Sequence, residues 1–164
     1  MAGRKQLVMG GLAALAALGL AAQLIRPDRT NPPEDPAATF AAKLNVPPAV
    51  ADLMFTACGD CHSHRTVWPW YTQITPINWW IADHVHEGRH ELNLSDWRFG
   101  DEKTRDKLQA IGEEVSEGEM PPLYYAPMHP ASRLTDDQAK SITDWAKAEL
   151  DRRGGPLPES DDGG

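Results

Sequence analysis

The first long apolar run of the chain extends from Leu7 to Ile25 and contains no charged residue. Arg4 and Lys5 precede it. At about 1.5 Å of rise per residue, a helix of this length spans roughly the thickness of a bilayer core. The run therefore predicts a single N-terminal transmembrane helix, and we assign residues 1–25 to a membrane anchor. A cleaved signal peptide also begins with a basic segment, but the small-residue cleavage sites here are poor, so an uncleaved anchor is favoured.

Two segments of the chain lack any apolar period. Residues 26–46 contain four prolines, which predicts an extended linker between the anchor and a folded domain. Residues 151–164 end in glycine, proline and acidic residues, which predicts a disordered acidic tail. The folded domain is therefore assigned to residues 47–150.

Within this domain, apolar residues recur at spacings of three and four, which is the period of an α-helix. Four such segments run from Pro48 to Cys61, from Thr75-Pro76 through Val85, from near Asp101 to Gly118, and from Thr135 to Leu150. No segment alternates with a period of two for the length of a strand. The pattern predicts an all-α fold.

Local signals mark the ends of three of these helices. Thr75 is predicted as an N-cap, because a proline follows it at the first helical position. Gly118 is predicted to end the third helix. Thr135 and Gln138 have the spacing of a capping box at the start of the fourth.

The net charge of the chain limits which classes of binding partner are expected. The formal net charge is −8 at pH 7, and the excess of acidic residues lies mostly in residues 47–150. Phosphate binding needs a basic face, so nucleic acid is excluded as a partner. An acidic domain favours a redox partner with a basic docking patch, although the same charge can serve solubility alone.

The clearest chemical signal is Cys58-Gly59-Asp60-Cys61-His62, the C-x-x-C-H pattern of c-type haem attachment. On a helix, positions i, i+3 and i+4 share one face. Cys58 and Cys61 can then each form a thioether with a haem vinyl group, while His62 binds the iron. A zinc site would need further ligands at regular spacing, and a thioredoxin-like motif would need a βαβ context. The sequence therefore predicts one covalent haem c.

The sixth iron ligand remains open between several residues. Met120 lies in a proline-rich loop between the third and fourth helices and is favoured, because such a loop resembles the methionine loop of small cytochromes c. His129 in the same loop is the alternative, followed by His84 or an open site. His86 and His90 lie one helical turn apart, and a solvated face explains them better than a metal site does.

Other residues are predicted to surround the haem. Trp68, Trp70 and Tyr71 follow the haem-attachment motif so closely that they are expected to wall the haem. Arg89 can pair with a haem propionate. A surface ion pair with a neighbouring acid, Glu87 or Asp96, is the alternative for Arg89.

Several motifs together resemble the bacterial haem-binding domain family of cytochrome c-like proteins, over roughly residues 48–150. They are Cys58 to Ser63, Thr66, Trp68-Pro69-Trp70-Tyr71, Gly88-Arg89, Leu92-Asn93, Ser95, Trp97, Met120-Pro121, Tyr125, His129-Pro130 and Trp145. The resemblance implies a compact helical domain around one haem, and it assigns no reaction.

These observations favour an electron carrier, a mono-haem c-type cytochrome tethered to the bacterial cytoplasmic membrane. Thioether attachment is completed outside that membrane, so the domain is expected to face the periplasm, or to be soluble there if the anchor is cleaved. A haem enzyme or sensor with an exchangeable sixth ligand is the alternative. A haem-bearing subunit of a larger membrane complex is a third interpretation.

Overall fold

The computed structural model describes residues 2–157, and all its regular elements are helical. The α-helices are α1 (Ala2–Ala22), α2 (Phe40–Lys43), α3 (Pro48–His62), α4 (Ile77–Glu91), α5 (Asp101–Glu117) and α6 (Asp136–Arg152). Single 3-10 turns occupy Trp70–Gln73 and Pro130–Ser132. The described residues contain no strand, and the predicted all-α fold is confirmed.

Helix α1 stands apart from the core. Its segment Gly3–Ala22 has a mean hydropathy of 1.5, and none of it is buried against the rest of the protein. It is apolar and long enough to cross a membrane or to act as a signal sequence. The helix ends at Ala22 rather than at Ile25, because the chain turns at residues 23 and 24.

The helix ends test the predicted capping signals. The Thr135 hydroxyl accepts a hydrogen bond from the Gln138 amide at 3.3 Å, and the Gln138 side chain accepts one from the Thr135 amide at 2.9 Å, so the capping box is confirmed. Gly118 ends α5 with a φ of 75°, a left-handed conformation that glycine adopts without strain. The Thr75 cap is wrong, because α4 begins only at Ile77 and Thr75 makes no capping bond.

Helices α5 and α6 form an antiparallel pair that packs on α3 around an aromatic centre. Phe40 is fully buried at this centre. Its ring lies 5.6 Å from the Phe55 ring, 6.1 Å from that of Trp145 and 6.5 Å from that of Trp97, measured between centroids. Aromatic rings at these separations and tilts pack favourably. The core therefore draws on α2, α3, α6 and the loop after α4.

Residues 26–46 differ from the predicted free linker, since they pack along the domain. Phe40 and Leu44 lie one helical turn apart and are both buried in the core. The Phe40 amide donates to the Leu94 carbonyl at 3.0 Å, and the Trp97 amide donates to the Ala38 carbonyl at 2.7 Å. The prolines of this segment stiffen an extended chain that is bound to the domain surface.

The described part of the predicted disordered tail, residues 151–157, is also bound to the domain. Helix α6 extends to Arg152, and Arg105 donates to the carbonyls of Gly155 and Pro156 at 2.7 and 3.0 Å. Hydrogen bonds from Arg105, a partly buried residue of α5, thus hold this part of the tail against the domain. Residues 158–164, where the rest of the predicted disordered tail falls, lie outside the described residues.

Candidate functional site: a cavity at the C-x-x-C-H helix

The C-x-x-C-H segment forms the last turn of α3, where α4 crosses it in close contact. A Cβ atom added at Gly88 would lie 2.8 Å from the Cys61 carbonyl oxygen and 3.1 Å from the Cys61 Cβ. Real Cβ atoms do not approach so closely, so only glycine allows α4 to lie against the motif. This explains the glycine of Gly88-Arg89 in physical terms.

The close approach fixes the imidazole of His62. Its Nδ1 lies 2.8 Å from the Gly88 carbonyl oxygen and 3.1 Å from the Leu92 carbonyl oxygen. Both partners are acceptors, so Nδ1 carries the proton and donates to them. Burial lowers the pKa of His62, which favours the neutral ring. Nε2 then carries a lone pair, the state that binds a metal.

The two cysteines lie beside this imidazole and are both unbridged. Burial raises the pKa of Cys58 to about 12, and burial with the nearby charge of Asp60 raises that of Cys61 to about 11. Both side chains are therefore neutral thiols. They carry no charge into the apolar surroundings of the motif.

Cys58, Cys61 and His62 line one cavity of about 570 Å³, a volume within the range of ligand and cofactor sites. Most of the lining is apolar. Besides the motif, the walls comprise Met54, Trp68, Tyr71, Trp80, Ile81, His84, Val85, Ile111, Met120, Tyr124, Tyr125, Met128, His129 and Ile142, among others. The Nε1 atom of Trp68 is buried without a hydrogen-bond partner among the described residues.

The predicted haem surroundings divide into residues inside and outside the cavity. Trp68 and Tyr71 line it. Trp70 does not, since its side chain is 73% exposed on the outer surface.

Arg89 also points away from the cavity, in contrast to the propionate prediction. Its guanidinium donates to the Ser63 and Thr30 carbonyls, to Oδ1 of Asn31 and to Oγ1 of Thr66, at 2.7 to 3.0 Å. These bonds use every side-chain nitrogen of Arg89. The residue therefore fastens the segment before α2 to the loop after α3, and it pairs with neither of the acids named as the alternative.

Met120 lines the cavity, and it lies in a loop whose first residues are hydrogen-bonded to α5. The Met120 amide donates to the Glu114 carbonyl at 3.1 Å, as does the Glu119 amide at 3.0 Å, so the loop is bound to the last turn of α5. Met128, which the sequence analysis did not consider, lines the same cavity from the far end of the loop. With Met54 of α3, three thioethers therefore line the cavity, and two of them come from this loop.

His129 also lines the cavity, but both its nitrogens have partners. Nδ1 donates to the Tyr125 carbonyl at 3.2 Å, and Nε2 accepts from the Tyr71 hydroxyl at 2.9 Å. The imidazole is stacked on the Tyr125 ring, with centroids 3.7 Å apart. The Tyr125 hydroxyl in turn donates to the Asp60 carboxylate. This network, which the sequence analysis missed, connects the loop of Met120 to the C-x-x-C-H motif.

The three histidines of α4 fall on two faces of that helix. His84 lines the cavity, and its Nδ1 donates to the Trp80 carbonyl at 3.0 Å. His86 and His90 are exposed and border a separate hollow beside Arg89. Among residues 2–157, no group of three or more His, Cys, Asp or Glu side chains is arranged to hold a metal ion.

The family model for a haem-binding domain matches residues 17–148 of the chain, which includes the cavity and the segment before α2. The chain belongs to the haem-binding domain family. Comparisons with curated proteins and with solved structures give no match. The resemblance read from the motifs is therefore confirmed, and the chain is a haem protein.

The cavity suits this assignment on its own geometry. It offers apolar walls for a porphyrin and a histidine Nε2 with a lone pair for the iron. Haem supplies an iron centre that changes its oxidation state by one electron.

Proposed function

We propose that this haem-binding domain is a membrane-tethered, periplasmic, mono-haem c-type cytochrome that transfers single electrons. The observation that carries the proposal is the shared cavity of Cys58, Cys61 and His62, in which the imidazole Nδ1 donates to Gly88 and Nε2 is left for iron. In this assignment Cys58 and Cys61 hold the haem through thioethers, and His62 is the proximal axial ligand.

Met120 is proposed as the sixth ligand. Its backbone is bound to Glu114, so the thioether is presented from a fixed point, and its side chain lines the cavity. His129 would have to give up its bond from the Tyr71 hydroxyl before it could bind iron. A thioether opposite a histidine raises the reduction potential and suits an electron carrier.

The proposed arrangement keeps residues 1–25 as the anchor and residues 47–150 as the haem domain. The tether differs from the separate, extended linker first expected, because residues 26–46 are bound to the domain. A partner would therefore come to the haem domain at a fixed height above the bilayer. The net charge of −8 favours a partner with a basic docking patch.

A visible spectrum of the full-length holoprotein, oxidised and reduced, tests the proposal. We expect a low-spin ferric form with a long-wavelength band from methionine-to-iron charge transfer. We also expect no carbon monoxide binding to the ferrous form, and haem that stays on the chain after acid-acetone extraction. Haem that is extracted by acid-acetone would contradict the c-type assignment, and a soluble protein lacking residues 1–25 would contradict the anchor.

A haem enzyme or sensor is the second candidate, and the cavity mouth is the observation that favours it. Met120, Tyr124 and Met128 border this mouth and are 36%, 57% and 58% exposed. A ligand held at an open mouth can be exchanged for a small molecule. A high-spin ferric spectrum in wild type, together with reaction with peroxide, would favour this function over electron transfer.

A further inference from the structure

The longest uncharged stretch outside α1 lies between the haem motif and the middle of α4. Residues 66–82 contain no Asp, Glu, Lys or Arg, in a chain that is 24% charged, and they hold four of its six tryptophans. Some of these side chains wall the cavity. The others need a different explanation.

Four apolar side chains of this stretch lie outside the cavity and are exposed. We call them the uncharged face: Trp70, Ile74, Ile77 and Trp79, with exposed fractions of 73%, 41%, 43% and 37%. None of them lines the haem cavity, so bound haem would not cover them. Large apolar side chains grouped on a surface indicate contact with something other than water.

The uncharged face is joined directly to the end of α1. The Gln23 side chain and the Thr75 backbone pair in both directions, with Nε2 to the Thr75 carbonyl at 3.2 Å and the Thr75 amide to Oε1 at 3.1 Å. The Trp79 Nε1 donates to the Ile25 carbonyl at 2.9 Å. No length of free chain separates the last turn of α1 from this face.

Two arginines continue the same junction. Arg26 donates to the Gln73 carbonyl at 2.6 Å, and Arg29 donates to the Thr72 carbonyl and to Oε1 of Gln73, both at 2.8 Å. Their positive charges therefore lie at the border of the uncharged face. Basic residues and tryptophans are the usual anchors at the level of lipid headgroups.

We propose that the uncharged face is a membrane-docking surface, on which the haem domain lies in the interfacial region of the bilayer. This inference rests on the proposed anchoring by α1. If α1 spans the bilayer, its end marks the headgroup level, and residues hydrogen-bonded to that end lie at the same level. The apolar side chains then enter the interface, and the arginines face the phosphates. The domain is held in one orientation, and it does not swing on a tether.

Site-specific photocrosslinking of the full-length holoprotein in vesicles of phosphatidylethanolamine and phosphatidylglycerol tests this surface. A photoreactive p-benzoyl-phenylalanine replaces Trp70 or, in a second protein, Ile77. A third protein carries it at Lys140, an exposed residue of α6. We expect lipid adducts at positions 70 and 77 in at least tenfold excess over position 140, as measured by mass spectrometry.

Charge variants sharpen the test. Ile74→Glu together with Ile77→Glu is expected to reduce lipid adducts at position 70 severalfold while the visible spectrum stays unchanged. Ser141→Glu together with Ala148→Glu, which places the same two charges on exposed sites of α6, is expected to leave them unchanged.

The outcomes separate the two proposals. Membrane-bound protein that retains residues 1–25 but gives no lipid adducts at 70 and 77 would overturn the docking surface and leave the anchoring intact. Adducts to a second copy or to another protein would also overturn it. Soluble protein without residues 1–25 would overturn both.

Discussion

The α5–α6 pair and the α3–α4 region bury apolar side chains in different ways. Helices α5 and α6 bury most of theirs against each other and around Phe40, although Ile111, Val115 and Ile142 also line the cavity. In the α3–α4 region, the apolar side chains surround a cavity of about 570 Å³, and Met120, Tyr124 and Met128 remain partly exposed at its mouth. The first region is stable through its own packing, whereas the second is arranged around a ligand.

The largest expected effect comes from removing the ligand from the second region. Cys58→Ala together with Cys61→Ala should abolish covalent haem, because no other cysteine exists to form a thioether. Amide hydrogen exchange should rise by tenfold or more in α3, α4 and the loop 119–129, since an empty apolar cavity of this size loses its packing. Exchange in α5 and α6 should change little.

The matched control for this prediction is Thr56→Ala, at an exposed site on the same helix, which should leave haem attachment unchanged. A double variant whose α5 and α6 amides exchange as fast as those of α3 would contradict the comparison. It would show that the two regions unfold as one unit.

The same substitution, glycine to alanine, can be made in both regions, at Gly88 on α4 and at Gly112 on α5, and its effect on stability compared. In Gly88→Ala, the new Cβ would meet the Cys61 carbonyl oxygen at 2.8 Å, so α4 must move away from the haem motif. We expect a loss of about 1–3 kcal/mol in the free energy of unfolding, as for other overpacked sites. In Gly112→Ala, the new methyl group on α5 meets nothing within 4 Å. We expect a gain of up to about 1 kcal/mol there, because alanine favours the helix.

Urea denaturation of the two holoproteins measures both changes. A Gly88→Ala protein as stable as wild type would show that the close approach of α4 to Cys61 is not needed. The spectrum offers a second readout, because displacement of the Gly88 carbonyl weakens the hydrogen bond that orients His62.

The same contrast explains what could be predicted from the sequence. The capping box at Thr135 and the stop at Gly118 depend on neighbouring residues only, and both were predicted. The burial of Phe40 depends on partners far along the chain, such as Leu94 and Trp97, so residues 26–46 were misread as a free linker.

The site residues also divide into those indicated by a local motif and those whose contacts lie far along the chain. Cys58, Cys61 and His62 form one local motif on one helix, so their shared cavity followed from spacing. The bonds of Arg89 to the segment before α2, of Tyr71 to His129 and of Tyr125 to Asp60 join residues 58 or more positions apart. No local pattern carries that information.

A third prediction distinguishes the two thioethers at the cavity mouth. Met120→Ala should remove the methionine-to-iron band, lower the reduction potential and let carbon monoxide bind the ferrous form, because the anchored thioether is lost. Met128→Ala is the matched control and should keep the band. The reverse pattern would assign the sixth ligand to Met128, and a band lost only in His129→Ala would assign bis-histidine ligation.

The smallest expected effect concerns the contact that fastens Glu34 to the loops after α3 and α4. Arg65 donates through Nε and Nη2 to the Glu34 carboxylate at 3.0 and 2.5 Å, and the buried Ser95 hydroxyl donates to it at 2.5 Å. The hydrogen bond from Arg65 lowers the pKa of Glu34, with a further contribution from Ser95. Because the folded-state pKa lies below the unfolded one, this stabilisation is present above the ordinary glutamate range and is lost as the pH falls through the folded-state value.

Glu34→Gln should therefore reduce the free energy of unfolding by about 1 kcal/mol at pH 7, as is usual for a solvent-accessible pair with one buried partner, and make it less dependent on pH below about 5. Asp144→Asn breaks the exposed pair of Lys140 and Asp144 on α6 and serves as the control. That pair has no buried partner, so its loss should cost less than about 0.5 kcal/mol. Urea titrations of both variants between pH 3.5 and 7 measure the difference. Equal pH dependence in wild type and Glu34→Gln would mean that the carboxylate does not hold residues 26–46 to the domain.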